Sequence, residues 1–420
     1  MLIPRLRKIT CPQFLAFDKV LTSNGTPVYI IKDDNAEVLR IDFLFKAGAF
    51  SQEKPLQSFM TLQMLKEGTA KHNSEEIAEQ LDYCGALLDV RNMQNCAFVS
   101  LTLTNKSFDT LWPLFCEVLS CPAFPEHEFQ LIQHTLKQSI RLREERVSYW
   151  ARRRFYNNLF GNQSSIGHIR TVEDVERVSI DDLKSHFKKY YNLNNCAVVV
   201  AGKVTANVIK ELESFLNNSE RNVFESVKYP FVKCKEYVSR DYIKKEGAVQ
   251  SAVIIGKPAP SFSDEDYDSF EVLNAALGGY FGSRLMTEIR EKKGYTYDIT
   301  SVVQSSREYS TFGISAQTAT EYTDSLIADC YAEMQKLIER KMPKSELEKL
   351  KKYLHGEMLR NVDGLFSAMG QFEFFLRNGL DASSFRQSWD AVSAATPEEM
   401  QRLAQKYFQP SSFCQVVCGA

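Results

Sequence analysis

Apolar and polar residues partly alternate along two segments in the first half of the chain. Residues 38–45 read VLRIDFLF and residues 98–104 read FVSLTLT, which is typical of strands that pack one face on a core. Apolar residues at helical spacing also occur over about 55–68, 74–84, 107–120 and 126–145. Strands followed by helix pairs predict an α+β fold, in which helices pack on a mainly antiparallel sheet.

The chain also resembles itself. Residues 179–191 run parallel to residues 396–408, and each segment opens with Ser or Thr and has a carboxylate three residues later. This is the pattern of a capping box at a helix start. A short apolar strand follows each segment, at 196–201 and 414–418, and a third match joins 124–129 to 341–347. The three matches keep the same order.

The repeat spans about half the chain, which indicates duplication of a whole domain rather than a solenoid of short repeats. We therefore predict two homologous domains, over 1–215 and 235–420. A polar linker at 216–234, which contains the sequence NNSERN, is expected to join them.

Composition excludes several classes of protein. The 420 residues are 44% hydrophobic and 25% charged with a formal net charge of −2, which predicts a soluble globular protein and gives no sign of nucleic-acid binding. No apolar run approaches the roughly 18 residues of a membrane-spanning helix. The basic start, residues 1–8, lacks the apolar core of a signal peptide, and the ten cysteines form no Cys-x-x-Cys pair. A cytoplasmic protein without a membrane partner is the expectation.

The most specific motif lies in the second half. Residues 273–297 read LNAALGGYFGSRLMTEIREKKGYTY. This stretch is similar to the C-terminal signature of the insulinase-like (M16) zinc peptidases, which include the mitochondrial processing peptidase and short bacterial members. Further points of resemblance are Ala47-Gly48, Glu67-Gly-Thr69 and the segment 195–202. The resemblance covers nearly the whole chain and implies the LuxS/MPP-like metallohydrolase fold.

In that family, an Arg/Tyr pair spaced seven residues apart binds the substrate, and the resemblance places it on Arg290 and Tyr297. An arginine at the end of a helix and a tyrosine on the next strand can converge on one carbonyl and stabilise its oxyanion. The alternative for each is an ordinary solvated helix charge and a half-buried strand residue. We expect Arg284 to position the helix, and Gly278, Gly279 and Gly282 to permit a tight turn.

The zinc motif of the active members is absent from this chain. Those members carry His-x-x-Glu-His on the first helix and a further Glu on a later helix. The resemblance places the two histidines on Phe59 and Gln63, the general base on Leu62, and the later Glu near Ile132. Phe and Leu cannot ligate zinc, and a neutral Gln amide is a poor substitute for imidazole. We expect this chain to bind no zinc.

The six histidines offer no replacement site. They are His72, His127, His134, His168, His186 and His355. No two are four residues apart, so none can form the paired ligands of one helix face. His134 is the only one near the position of the lost third ligand. The others are expected to be surface or satisfied core histidines.

The resemblance implies a division of labour. In short members of the family, two chains close around an unfolded peptide, and one supplies zinc while the other supplies the Arg/Tyr pair. We expect this chain to be inactive alone and to pair with a zinc-binding chain of similar length that carries His-x-x-Glu-His. Two alternatives stay open: a structural or peptide-holding subunit, and an autonomous metallopeptidase. A homodimer of the isolated chain is also plausible.

Overall fold

The structure, a computed structural model, describes residues 9–13, 16–23, 25–218, 232 and 238–420. The N-terminal stretch 1–8 and most of the predicted linker, 219–231 and 233–234, lie outside the described residues. The predicted first domain ends at 215, but helix Ala206–Asn218 continues past it, so the linker residues 216–218 are helical. The division into two domains otherwise stays a prediction.

Among the described residues, eleven strands form two sheets. The strands are β1 (Asp18–Leu21), β2 (Pro27–Lys32), β3 (Val38–Phe45), β4 (Leu87–Asn92), β5 (Ala97–Thr104), β6 (Cys196–Gly202), β7 (Ser239–Lys244), β8 (Gln250–Pro258), β9 (Thr296–Ser305), β10 (Ser310–Ala319) and β11 (Cys414–Gly419). The first sheet has the order β1-β2-β6-β3-β5-β4 and the second has the order β7-β11-β8-β10-β9. Each sheet has one parallel pair, β2 with β6 and β7 with β11, and all its other pairs are antiparallel. The α+β prediction is confirmed.

Helices follow the strands in the same order in both halves. The first half contains α1 (Gln57–Met64), α2 (Ser74–Cys84), α3 (Phe108–Ser120), α4 (Glu126–Glu144), α5 (Val147–Phe160), α6 (Val172–Glu176), α7 (Ile180–Tyr190) and α8 (Ala206–Asn218). The second contains α9 (Tyr267–Asn274), α10 (Thr323–Glu339), α11 (Lys344–Asn361), α12 (Leu365–Asn378), α13 (Ser383–Ala394) and α14 (Pro397–Tyr407). The matching orders of strands and helices agree with the internal repeat seen in the sequence.

Capping explains where the two repeated helices begin. At α7, the Ser179 side chain accepts a hydrogen bond from the Asp182 amide at 3.3 Å, and the Asp182 carboxylate accepts one from the Ser179 amide at 2.8 Å. At α14, Thr396 accepts a hydrogen bond from the Glu399 amide at 3.1 Å. The Glu399 carboxylate instead accepts hydrogen bonds from Arg402. The capping box at α14 therefore has the hydrogen bond to the Thr396 side chain but lacks the one from the Thr396 amide to Glu399.

One helix from each half packs on the sheet of the other half. Helix α5 packs on the second sheet, where Phe155 and Leu159 share a core with Ile254 and Val416. Helix α12 packs on the first sheet, where Phe372 joins a core that includes residues of β3, β5 and β6. The main core of each half lies on the opposite face of its sheet, under the remaining helices. The two halves therefore complete each other.

A buried charge network secures α12 to the first sheet. The Arg91 guanidinium lies 3.1 Å from the carboxylates of both Asp42 on β3 and Glu373 on α12. Arg40 adds a 2.8 Å ion pair to Asp42. Burial and the neighbouring Asp42 carboxylate raise the pKa of Glu373 well above the usual range. Burial acts to raise the pKa of Asp42, but hydrogen bonds from Glu373 and Arg40 outweigh it and lower that pKa, so Glu373 is the member of the pair that favours the protonated form.

Within the described part of the chain, no helix is both long and apolar enough to cross a membrane.

Candidate functional site

The motif of the second half forms an unusual helical region. Helix α9 runs directly into a π-helical turn, Ala275–Gly279, and a second π-helical segment follows at Met286–Lys292. Between them the chain turns at Tyr280, whose carbonyl accepts a hydrogen bond from the Ser283 amide at 3.0 Å. π-Helical turns are rare and are frequently found at functional sites. We call Met286–Lys292 the π segment.

The glycines of this motif act by allowing close contact. A Cβ atom on Gly278 would lie 2.7 Å from the Ser301 hydroxyl and 2.8 Å from the Ser301 amide on β9, so only glycine lets the backbone approach the strand. A Cβ on Gly282 would lie 2.8 Å from the Tyr280 ring. The expected turn is present, but Gly278, Gly279 and Gly282 do not adopt a positive φ. Gly294, at φ +68°, is the glycine that turns the chain towards β9.

Arg284 anchors the beginning of the π segment. Its guanidinium donates two hydrogen bonds to the Glu346 carboxylate on α11, at 2.8 and 3.1 Å. A bidentate pair of this kind fixes orientation as well as charge. The structure agrees with the interpretation of Arg284 as a residue that positions the helix.

Arg290 and Tyr297 converge at the surface. The Arg290 guanidinium carbon lies 5.2 Å from the centre of the Tyr297 ring and 5.0 Å from the centre of the Phe281 ring. Both rings are exposed, Tyr297 by 87% and Phe281 by 61%. The guanidinium therefore contacts two aromatic rings, an arrangement that cation–π attraction favours. We call these three residues the Arg290 cluster.

Sequence analysis missed Phe281. It lies between Tyr280 and Gly282 in the turn, outside any helical or strand period, so the hydrophobic pattern gave it no role. The available signal was a large apolar residue inside a glycine-rich turn that precedes a candidate arginine.

The charges around Arg290 are paired with one another. Lys292 pairs with Glu288, and Lys293 pairs with Asp329. The hydrogen bond from Lys292 is the main cause of the lowered Glu288 pKa. In the described part of the chain, Arg290 itself forms no ion pair. Its guanidinium is thus available to a ligand.

The positions of the missing zinc motif are apolar and packed. Leu62 on α1 is fully buried, and Phe59 and Ile132 pack against the same core. Gln63 is half-buried and is a neutral amide. These side chains do not fit a zinc ion, because three of the four have no donor atom. Among the residues that the structure describes, no group of three His, Cys, Asp or Glu side chains could hold a metal ion.

The histidines are bound individually to other groups. His186 is buried with a ring nitrogen 3.3 Å from the Ala47 carbonyl, and burial lowers its pKa to about 4. His168 lies 2.7 Å from the Asp174 carboxylate. His134, the one near the expected third ligand, is exposed and contacts Gln138 at 2.8 Å. His72, His127 and His355 contact Glu117, Glu128 and Ser393.

Comparison with known proteins shows which families and structures this chain is similar to. Residues 177–354 match the family described as the peptidase M16 inactive domain. This range contains the Arg290 cluster and the whole glycine-rich turn. The match agrees with the resemblance that the motif indicated, and it covers the part of the chain in which the motif lies.

Individual relatives cover most of the chain. The non-peptidase homolog YmxG of Helicobacter pylori is 25% identical over 354 residues, covering 80% of this chain and 79% of the relative. The zinc protease PqqE of the same organism is 21% identical and covers 93% of this chain and 90% of the relative. A crystal structure of a protease from Helicobacter pylori matches the fold with a TM-score of 0.87 at 19% identity, covering 97% of this chain and all of that one.

Proposed function

We propose that this chain is the non-catalytic subunit of a two-chain zinc metallopeptidase. It would supply Arg290 and Tyr297 to the scissile carbonyl of an unfolded peptide. A partner chain of similar length that carries His-x-x-Glu-His would supply the zinc. The main observation for this proposal is a contrast between two places in the chain. A half-buried Arg290, which forms no ion pair with the described residues, lies beside the exposed Tyr297, whereas the lost zinc positions Phe59, Leu62 and Ile132 are apolar.

The Arg290 cluster has the chemistry for binding a carbonyl. A guanidinium and a phenol both donate hydrogen bonds, and a donor aimed at a developing oxyanion stabilises it more than it stabilises the ground-state carbonyl. The two aromatic rings restrict the guanidinium before the substrate arrives. Restricting a donor in advance reduces the entropy lost on binding.

The chemistry of water activation would belong to the partner, where a zinc ion lowers the pKa of its bound water. Among the residues that the structure describes, this chain offers no donor set for that ion. The names of the relatives fit such a division, since one organism has both a relative called a non-peptidase homolog and a relative called a zinc protease.

A reconstitution assay tests the proposal. A fluorogenic peptide is incubated in zinc buffer with this chain alone, with the partner alone, and with both. The mixture is then repeated with Arg290→Ala and Tyr297→Phe. Arg386→Ala, which removes an exposed arginine that pairs with Asp390, and Tyr83→Phe, which alters another exposed tyrosine, serve as controls. We expect activity only in the mixture, reduced by the first two variants and not by the controls.

Other outcomes separate the alternatives. A complex that forms but cleaves no faster than the partner alone would support a structural or peptide-holding subunit. Zinc-dependent cleavage by this chain alone would support an autonomous peptidase and would contradict the assignment of the lost ligands.

A further inference from the structure

A cavity of about 290 Å³ lies where the two halves of the chain meet. It is next to the contact between two hairpin turns, the one that joins β4 to β5 and the one that joins β9 to β10. At that contact the Asn95 side chain donates hydrogen bonds to the Glu308 carboxylate at 3.2 Å and to the Arg377 carbonyl at 3.0 Å. The turns thus hold the cavity walls in place from both halves.

Two arginines line this cavity, one from each half. Arg170 precedes α6 in the first half, and Arg377 lies on α12 in the second. The other described residues that line the cavity are neutral, so no carboxylate faces the two guanidiniums there. Elsewhere in the described part of the chain, neither arginine forms an ion pair. Arg377 instead lies over the Phe374 ring, 5.0 Å from its centre.

The positive charge at Arg170 is poorly compensated. Burial, followed by the nearby charges of Arg153 and Arg143, lowers its pKa to about 10, although Tyr149 and Asp174 act weakly in the opposite direction. A half-buried guanidinium that forms no ion pair with the described residues has lost much of its hydration without gaining a directly bound carboxylate. An anion in the cavity would supply that missing interaction.

A second cavity continues the positive region. It has a volume of about 420 Å³, shares Asn95 and Arg377 with the first, and adds Lys46 and Arg307. Glu308 is the one carboxylate among its described lining residues, and that group already accepts hydrogen bonds from Asn95 and, at 3.1 Å, from Ser306. The excess of cationic side chains therefore extends across the junction.

We propose that the smaller cavity is a binding site for a small oxyanion, a carboxylate or a phosphate, held between Arg170 and Arg377. Guanidinium groups suit both ligands because their N–H donors match two oxygen atoms at once. Since the arginines come from different halves, a bound anion would also tie the halves together. This site is independent of the Arg290 cluster and of any peptidase activity.

Calorimetric titration and thermal unfolding of the full chain test the site. The probes are inorganic phosphate and succinate, with sodium chloride at equal ionic strength as the reference. We expect at least one probe to bind and to raise the melting temperature by about 2–5 °C near saturation. Arg170→Gln and Arg377→Gln should each weaken binding about tenfold or more, because each removes a charged hydrogen-bond donor. Which probe binds more tightly distinguishes phosphate from carboxylate ligands.

Arg152→Gln is the matched control, because Arg152 is exposed on α5 and does not line the cavity. It should bind the probes as the unaltered chain does. In chloride, Arg170→Gln should be as stable as the unaltered chain or more stable, since it relieves repulsion from Arg153 and Arg143. Equal stabilisation of the unaltered chain and the Arg170→Gln/Arg377→Gln double variant by phosphate and succinate, or no binding of either probe, would overturn the proposal.

Discussion

In the first half of the chain, α1 turns Leu62 into the core and packs Phe59 beside it. In the second half, the helix at the corresponding place, α9, continues into a π-helical turn and leads to a surface where Phe281 and Tyr297 are exposed. The strands around the two helices pair in the same order. Helices at corresponding places thus differ between the halves: the first packs its side chains into the core, and the second leads to exposed side chains.

The difference indicates that the residues that stabilise the fold are separate from the residues proposed to bind substrate. Replacing the first-half residues should affect folding, because they fill a packed interior. Replacing the residues of the Arg290 cluster should leave folding almost unchanged, because they contribute little buried area. Each of the following variants tests one side of this contrast, from the largest expected effect to the smallest.

Leu62→Glu should have the largest effect. It places a carboxylate at the position that the resemblance assigns to the general base of the active members, but here that position is fully buried among apolar side chains. We expect a loss of about 4 kcal/mol or more in the free energy of unfolding, measured with urea. Gln63→Glu, at a half-buried neighbour, should cost much less. A variant that keeps its stability and gains bound zinc would contradict the description of this region.

Arg290→Ala should act on activity alone. In the reconstituted mixture we expect kcat/KM to fall about 100-fold, the usual effect of removing one oxyanion donor. The free energy of unfolding should stay within about 0.5 kcal/mol. Arg284→Ala should differ, because the loss of its pair with Glu346 should lower stability. Equal stability losses in the two variants would remove the distinction between binding and positioning residues.

Glu373→Gln tests the junction between the halves through pH. The pKa of Glu373 is higher in the folded chain than in the unfolded chain. Its contribution to the free energy of unfolding is therefore fully present at pH values below the ordinary carboxyl pKa, and it is lost as the pH rises towards the pKa of the folded state. Glutamine can still donate to Asp42 and cannot ionise. We therefore expect the variant to gain stability relative to the unaltered chain from pH 5 to pH 9, by about 1–3 kcal/mol, in urea unfolding.

The junction at α5 supplies the control for this variant. Asp241 is partly buried, but hydrogen bonds from Asn158 and Arg154 lower its pKa. The contribution of Asp241 to the free energy of unfolding is therefore present at pH values above the ordinary carboxyl pKa, and it is lost as the pH falls below that value. Asp241→Asn should therefore be less stable at neutral pH and should show no relative gain towards pH 9. A parallel pH dependence in the two variants would contradict the protonated state of Glu373.

Phe281→Ala should have the smallest effect. Loss of one ring leaves Tyr297 in contact with Arg290 but lets the guanidinium sample more rotamers. We expect about a two- to fivefold fall in kcat of the mixture with little change in KM, since a cation–π contact at an exposed site is worth about 0.5–1 kcal/mol. Phe281→Tyr should restore most of the activity. Val302→Ala is the matched control, because Val302 is also an exposed apolar residue but lies on β9, outside the Arg290 cluster.

Much of the fold could be predicted from the periodicity of the sequence. The bounds of α2 agree with the prediction of 74–84, and β3 agrees with 38–45. Helix α1 was predicted over 55–68 but is shorter, because Leu56 adopts a left-handed conformation before it and the regular turns end near Leu65. The π-helical turns could not be predicted, since periodicity does not distinguish a π turn from an α-helical one and does not show that Gly278 packs against Ser301.

The site was predictable only in part. The spacing of Arg290 and Tyr297 in the motif indicated that the two side chains meet, and the structure brings them together. Phe281 and the cavity at Arg170 and Arg377 could not be found in this way. Phe281 is close to Arg290 in sequence but is not part of the Arg/Tyr spacing. Arg170 and Arg377 are far apart in sequence, and an apolar stripe on α12 does not show which sheet the helix will cover.

The helices α5 and α12 occupy equivalent places in the two halves, and each covers the sheet of the other half. This is the arrangement that domain swapping produces in a dimer of identical subunits. In one chain, it means that a half on its own would have an uncovered sheet face and an unsupported helix. We therefore expect calorimetry to show a single cooperative unfolding transition, rather than one for each half, so that the duplicated copies are one folding unit although their surfaces have diverged.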